Sequence, residues 1–174
     1  STRNLYASWF TRWYDYDHDD LVRLVDNFQK NGLPLDVLVL DMNWHTKNDW
    51  TGYTWDRQLF PFPEDTLAML RSKGLVVAAN IHDADGIGNW EDSYKQICGV
   101  MGQNPSAGQT VMFQPLNGTY MRAVEDVTLK QFAGFDFYWI DWQQGGDAGG
   151  CSGGRMNPTF ITDHVRATSN ARRG

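Results

Sequence analysis

The chain has 174 residues, of which 14% are aromatic and eight are Trp, enough apolar material to fill a sizeable core. Its formal charge of -6 argues against a nucleic-acid or anionic-membrane partner, because both reward a concentrated basic face, and the only basic cluster is Arg166, Arg172 and Arg173. No apolar run approaches the roughly 20 residues that span a bilayer, and Ser1–Asn4 lack the hydrophobic segment of a signal peptide, so no membrane partner is expected and a neutral ligand fits best.

In chain order, strand-like runs are expected at Leu5–Trp9, Val37–Asp41, Leu75–Ile81 and Phe135–Asp141, each followed by polar or glycine-rich residues. After the first, Asp19 or Asp20 can cap a helix whose Leu21, Leu24, Val25 and Phe28 share one face, with Gly32 as left-handed cap and Pro34 beyond it. A second helix is expected from Pro63 to Gly74, with Glu64 and Asp65 against the positive end of its dipole. The stretch from His82 to Gly118 is rich in Gly, Asn, Asp and Pro and reads as an elaborated loop. A third helix is expected around Met121–Phe132, a glycine-rich loop over Gly145–Gly154, and a last helix over Pro158–Thr168. Alternating strand and helix is the pattern of βαβ units around a parallel sheet.

The most informative segment is FDFYWIDWQQGG (135–146), an aromatic and β-branched run that delivers one carboxylate, Asp141, and then breaks into glycines. Buried parallel strands read as near-continuous apolar runs, and in α/β barrels the chemistry lies where strand gives way to loop. A carboxylate there is often only a turn or cap residue. Here Trp139 and Trp142 flank it, and flat rings beside an acid suit the apolar face of a pyranose, which makes Asp141 the first candidate for a reacting group. Asp41 and His82 end the second and third strands and would reach the same mouth. A full barrel takes roughly 250 residues. The chain is therefore expected to supply about four of its βα units, with the remaining half as a partner that covers the open strand edge. A small doubly wound domain is the alternative, but no GxGxxG or GxxxxGK[ST] pattern supports nucleotide binding.

Other constellations carry less. His45 with Asp41 or Asp49 matches no zinc or calcium spacing, and Asp83-Ala84-Asp85-Gly86 lacks the later bidentate Glu of a calcium loop, so it reads as a turn. Ser8, Ser93 and Cys151 lack a base and orienter, and neither metal nor cofactor is expected. Cys98 and Cys151 fit one disulfide or two thiols equally well, which leaves the compartment open. Asn117-Gly118-Thr119 is a glycosylation pattern that short chains contain by chance. Trp9 reads as core, whereas Trp13, Tyr14 and Tyr16 lie among Asp15, Asp17 and His18 beyond the strand end, where a binding rim is one of two readings.

Four blocks, LVLDMNWH (38–45), WTGYTWD (50–56) leading to LFP (59–61), GLVVAANIH (74–82) and YWIDW (138–142), occur in an order and spacing similar to glycoside hydrolase family 31, the α-glucosidase and α-xylosidase family. The resemblance implies a retaining α-glycosidase on a TIM-type (β/α)8 barrel, with residues 1–174 as the N-terminal half of the catalytic domain and carbohydrate as substrate. Asp141 matches the nucleophile and Asp41 the second-strand aspartate that binds non-reducing-end hydroxyls. Met42 matches a pocket-lining position beside Asp41, and Trp139 and Trp142 match pocket-lining positions flanking the nucleophile. His82 falls where many relatives carry an aspartate, and it is expected to join Asp41, Met42, Trp139 and Trp142 in contacting the sugar. Many members continue the nucleophile segment as Asp-x-x-Glu, but Asp141 is followed by Trp142, Gln143 and Gln144. The family's general acid/base lies on a later strand, so this polypeptide alone is expected to hydrolyse nothing. A non-catalytic carbohydrate-binding or structural segment of the same fold is the other function class.

Overall fold

The computed structural model describes residues 6–46, 50–141 and 156–172. Four strands, β1 (Trp9–Arg12), β2 (Val37–Leu40), β3 (Val76–Ile81) and β4 (Phe137–Ile140), form one sheet in the order β1-β2-β3-β4. β1 pairs with β2 and β2 with β3 in parallel, Trp9 opposite Val37 and Val37 opposite Val76. Between them run the helices α1 (His18–Lys30), α2 (Pro63–Ser72), α3 (Tyr94–Met101) and α4 (Gly118–Ala123), with α5 (Pro158–Arg172) after β4. Sequential strands lying side by side with intervening helices are the first βα units of a barrel.

The helix ends follow their local chemistry. α1 is capped by Asp17 rather than Asp19 or Asp20: the Asp17 carboxylate accepts from the Asp20 N–H at 2.7 Å, and Asp20 reaches back to the Asp17 N–H at 3.4 Å. Leu21 and Val25 are buried, and Gly32 closes the helix at φ +64°. α2 starts on Pro63 and ends before Gly74 (φ +83°), which leads straight into β3.

Four expectations need correction. The first strand falls at Trp9–Arg12 rather than Leu5–Trp9, because Ser8 is already spent on Asp36 and Val37, accepting both backbone N–H groups at the start of β2. Trp9 is not core. It is 47% exposed on an edge strand and leans on Phe137 with ring centroids 5.4 Å apart. The stretch 82–118 is not all loop: Tyr94, Ile97 and Cys98 bury one face of α3, which Gly102 terminates at φ +66°, and a short 3-10 turn follows at Pro105–Ala107. α4 continues as a π-helix over Val124–Ala133, whose wider turns bury Val124, Glu125, Thr128 and Leu129.

The chain divides into two compact units, one of Ser1–Thr46, Trp55–Asn80 and Phe135–Trp139, the other of Lys47–Thr54, Ile81–Gly134 and Ile140–Gly174. In the first, Val37, Val39 and Ala78 form a buried cluster against which Val76, Phe137 and Trp139 pack. Trp9 touches Phe137 although two strands separate them, and neighbouring strands are about 4.8 Å apart, so the sheet must curl with these residues on its concave side. Side chains alternate along a strand. Continuing the alternation gives Asp41, the first residue past β2, the parity of Val37 and Val39.

A second core in this unit stacks Trp55 on Phe135 at 4.7 Å and sets Trp44 edge-on to both, with the Trp44 indole Nε1 donating to the Asn80 carbonyl at 2.9 Å. Two aspartates stitch the starts of the strands: Asp36 accepts from the Ser8 N–H and Asp136 from the Val77 N–H, both at 2.8 Å. β2 is buried throughout, whereas β4 is half-exposed along its whole length. β1 and β4 are the sheet's outer strands. Among the described residues no helix is long and apolar enough to cross a membrane.

Candidate active site

In the first unit the candidate residues gather at the end of β2. The half-buried Asp41 accepts at Oδ1 from the Met42 N–H at 2.7 Å and from the Asn80 amide at 2.8 Å, so it caps the 3-10 turn Met42–Trp44 and is tied to the next strand. Met42 is half-buried beside it. Asn80 was not singled out from the sequence. The period-2 pattern of β3 puts it on the concave side, and a polar residue there was the available signal. Asp41, Asn43, Tyr14 and Tyr16 line a shallow recess with Trp44 and Phe60. Asn43 is itself held: its Oδ1 accepts from the Trp13 indole at 3.0 Å and its amide donates to Asp15 at 2.5 Å. Trp139 packs against Val37, Val39 and Ala78 on the concave side. A cleft of about 360 Å³ in this unit lies between the first turns of α1 and α2 and contains none of these residues.

In the second unit His82 and Asp141 come together, His82 Nε2 lying 3.7 Å from Asp141 Oδ2. The imidazole is 2% exposed and the carboxylate 38%, so the acid faces outward and the ring sits behind it. Trp50, half-exposed, tilts over the His82 ring with centroids 5.1 Å apart. Trp142, Asp49, Cys151 and the Gly145–Gly154 stretch lie outside the described residues. Cys98 is a buried free thiol.

Below this pair lies a buried polar cluster that the sequence did not announce. Arg166 belongs to no surface basic patch: its guanidinium is buried and donates twice to Asp83, at 2.8 Å each, while its Nε stands 3.2 Å from Glu125. Burial opposes the charge on Arg166, but Asp83 and Glu125 outweigh it and hold the guanidinium more firmly protonated than usual. The Tyr53 hydroxyl also donates to Asp83 at 2.5 Å, and burial pushes both Tyr53 and Tyr120 well above the ordinary phenol range. The Asp83–Gly86 turn is as expected, with the Gly86 N–H donating to the Asp83 carbonyl. Of the remaining candidates, His45 is buried with its Nδ1 2.8 Å from the Thr46 carbonyl, Ser93 accepts from Thr128, and Asn117 caps α4 through its side chain.

Glu91 anchors the segment that carries Trp50. Its carboxylate accepts from the Tyr53 N–H at 3.2 Å and from the Thr54 hydroxyl at 2.6 Å. Burial raises its affinity for a proton above the ordinary value of 4.5, with these hydrogen bonds opposing the shift. A carboxyl group whose proton is held more tightly in the folded state stabilises the fold most below its unfolded value, and that contribution is lost as pH rises through the folded value. Urea unfolding across mildly acidic pH should therefore show a stability decline that Glu91→Gln flattens; an identical slope in the variant contradicts the assignment.

A parallel α/β sheet with its strands in sequential order and helices between them is the opening part of a TIM-type barrel. The chain belongs to family 31 of the glycosyl hydrolases, the model for "Glycosyl hydrolases family 31 TIM-barrel domain" matching residues 3–169. It is 25% identical over 145 residues to an alpha-xylosidase of Saccharolobus solfataricus, covering 78% of this chain and 18% of that protein. It is also 38% identical over 63 residues to a probable glucan 1,3-alpha-glucosidase of Arabidopsis thaliana, covering 36% of this chain and 7% of that protein. Among solved structures, a family 31 alpha-xylosidase from Xanthomonas citri superposes with a TM-score of 0.64 at 17% identity, covering 95% of this chain and 21% of that one. A Flavobacterium johnsoniae family 31 dextranase gives 0.61 at 14% identity, covering 97% and 24%. The chain thus spans about a fifth of the length of the Saccharolobus and Xanthomonas relatives.

Proposed function

We propose that the chain is the N-terminal half of a retaining α-glycosidase barrel, carrying the nucleophile and part of the sugar-binding site. The observation that carries this reading is the family match together with the placement of Asp141, outward-facing and first beyond β4. In the reaction proposed, one Asp141 oxygen bonds to the anomeric carbon as the glycosidic C–O bond breaks. The departing oxygen takes a proton from a general acid. Water, deprotonated by that same group, then cleaves the glycosyl ester and restores the carboxylate, with net retention. Asp41 receives hydroxyls of the non-reducing-end sugar, and Met42, Trp139 and Trp142 line the pocket. The named relatives favour α-linked glucose-like or xylose-like pyranosides as the substrate class.

Retaining hydrolysis needs two carboxyl groups about 5 to 5.5 Å apart, and the family resemblance puts the second on a later strand. The remaining barrel strands are therefore the partner this chain requires, and they also cover the half-exposed β4. Proton NMR of the first-formed sugar tests the reading: the completed barrel releases the α anomer from an aryl α-glycoside, and residues 1–174 alone release none. A β anomer, or turnover by the isolated chain, contradicts it.

A further inference from the structure

Asp141 and His82 are unequal partners. The carboxylate is 38% exposed and presents itself to a ligand, whereas the imidazole is 2% exposed and has almost no surface to offer a sugar. We propose that His82 is a positioning residue for Asp141: its buried imidazole holds Oδ2 of the carboxylate and leaves Oδ1 to face the ligand. The inference rests on the reading of Asp141 as nucleophile and revises the role expected for His82, from sugar contact to carboxylate holder.

Three features of the second unit support it. At 3.7 Å the Nε2 to Oδ2 contact is electrostatic rather than a full hydrogen bond, a looseness that catalytic contacts show before a ligand tightens them. The ring is packed from outside by Trp50, whose centroid lies 5.1 Å away. The backbone beside it is fixed from inside, since the next residue, Asp83, is clamped by both Arg166 nitrogens and by the Tyr53 hydroxyl. Among the described residues, the buried charges of the second unit are matched to other partners: Asp83 and Glu125 face Arg166, and Glu91 accepts from Tyr53 and Thr54. Asp141 Oδ2 lies within electrostatic reach of His82 Nε2, at 3.7 Å.

The test needs no substrate. In residues 1–174 labelled with 15N-histidine, NMR follows each of the four imidazoles with pH, and His82 is assigned through His82→Gln. Neutralising the partner with Asp141→Asn should lower the His82 titration midpoint, with His18, His45 and His164 unmoved. An unchanged His82 midpoint overturns the proposal. In the completed barrel, His82→Leu should slow esterification of Asp141 by an α-configured sugar epoxide by about 10- to 100-fold, and His82→Gln, which keeps a donor, should recover much of that loss. Equal rates in Leu, Gln and wild type overturn it as well. If wild-type Asp141 is never labelled, the functional reading fails, and the NMR titration still decides the contact.

Discussion

Replacing Asp141 with Ala in the completed barrel should lower turnover of an aryl α-glycoside roughly 10⁴-fold or more, the scale seen when a covalent nucleophile is removed. The loss is expected in the first step, in which the carboxylate bonds to the anomeric carbon from the face opposite the leaving group. Because Asp141 is exposed, its removal opens space for a small anion, and azide should restore part of the rate while yielding a β-glycosyl azide. That product fixes the direction of attack. Activity near the wild-type level in Asp141→Ala contradicts the role.

Arg166→Ala should destabilise residues 1–174 by about 3–5 kcal/mol, the range for removing one member of a buried, hydrogen-bonded ion cluster. The cost arises because Asp83 and Glu125 stay buried after their cation has gone. Against a total stability of roughly 5–15 kcal/mol this is a large fraction, so the urea midpoint should fall steeply. Arg166→Lys should lie between, because an ammonium keeps the charge but cannot reproduce the two-pronged bond to Asp83. An unchanged midpoint in Arg166→Ala contradicts the account of the cluster.

What was legible in the sequence was local. The apolar runs of β2, β3 and β4 lie within a residue or two of their observed ends, and Asp41, His82 and Asp141 stood out because a strand end is a local feature. The cap of α1 is Asp17, two residues before Asp19 and three before Asp20, because three aspartates compete for one role and the capping-box geometry chooses among them. α3 was hidden by its glycine- and asparagine-rich flanks, although Tyr94, Ile97 and Cys98 at i, i+3 and i+4 were there to be read. Trp9 misled because an aromatic run signals a strand without saying whether that strand lies at the sheet's edge.

Arg166 was invisible for a different reason. Its partner is 83 residues away, and no window along the chain reveals that a C-terminal arginine neutralises the aspartate after β3. The same holds for Asp36 and Asp136, which look like ordinary turn residues and in fact accept backbone N–H groups from neighbouring strands. Pairing across the fold, more than residue type, decides whether a charge is solvated or structural.

The most direct test of the central claim is peptide mapping by mass spectrometry after treating the completed barrel with an α-configured epoxide or aziridine sugar. The account predicts one ester-linked sugar on the peptide containing Asp141, with labelling blocked by excess substrate. A sugar found on another carboxylate, or no adduct under conditions where the glycoside turns over, would contradict it.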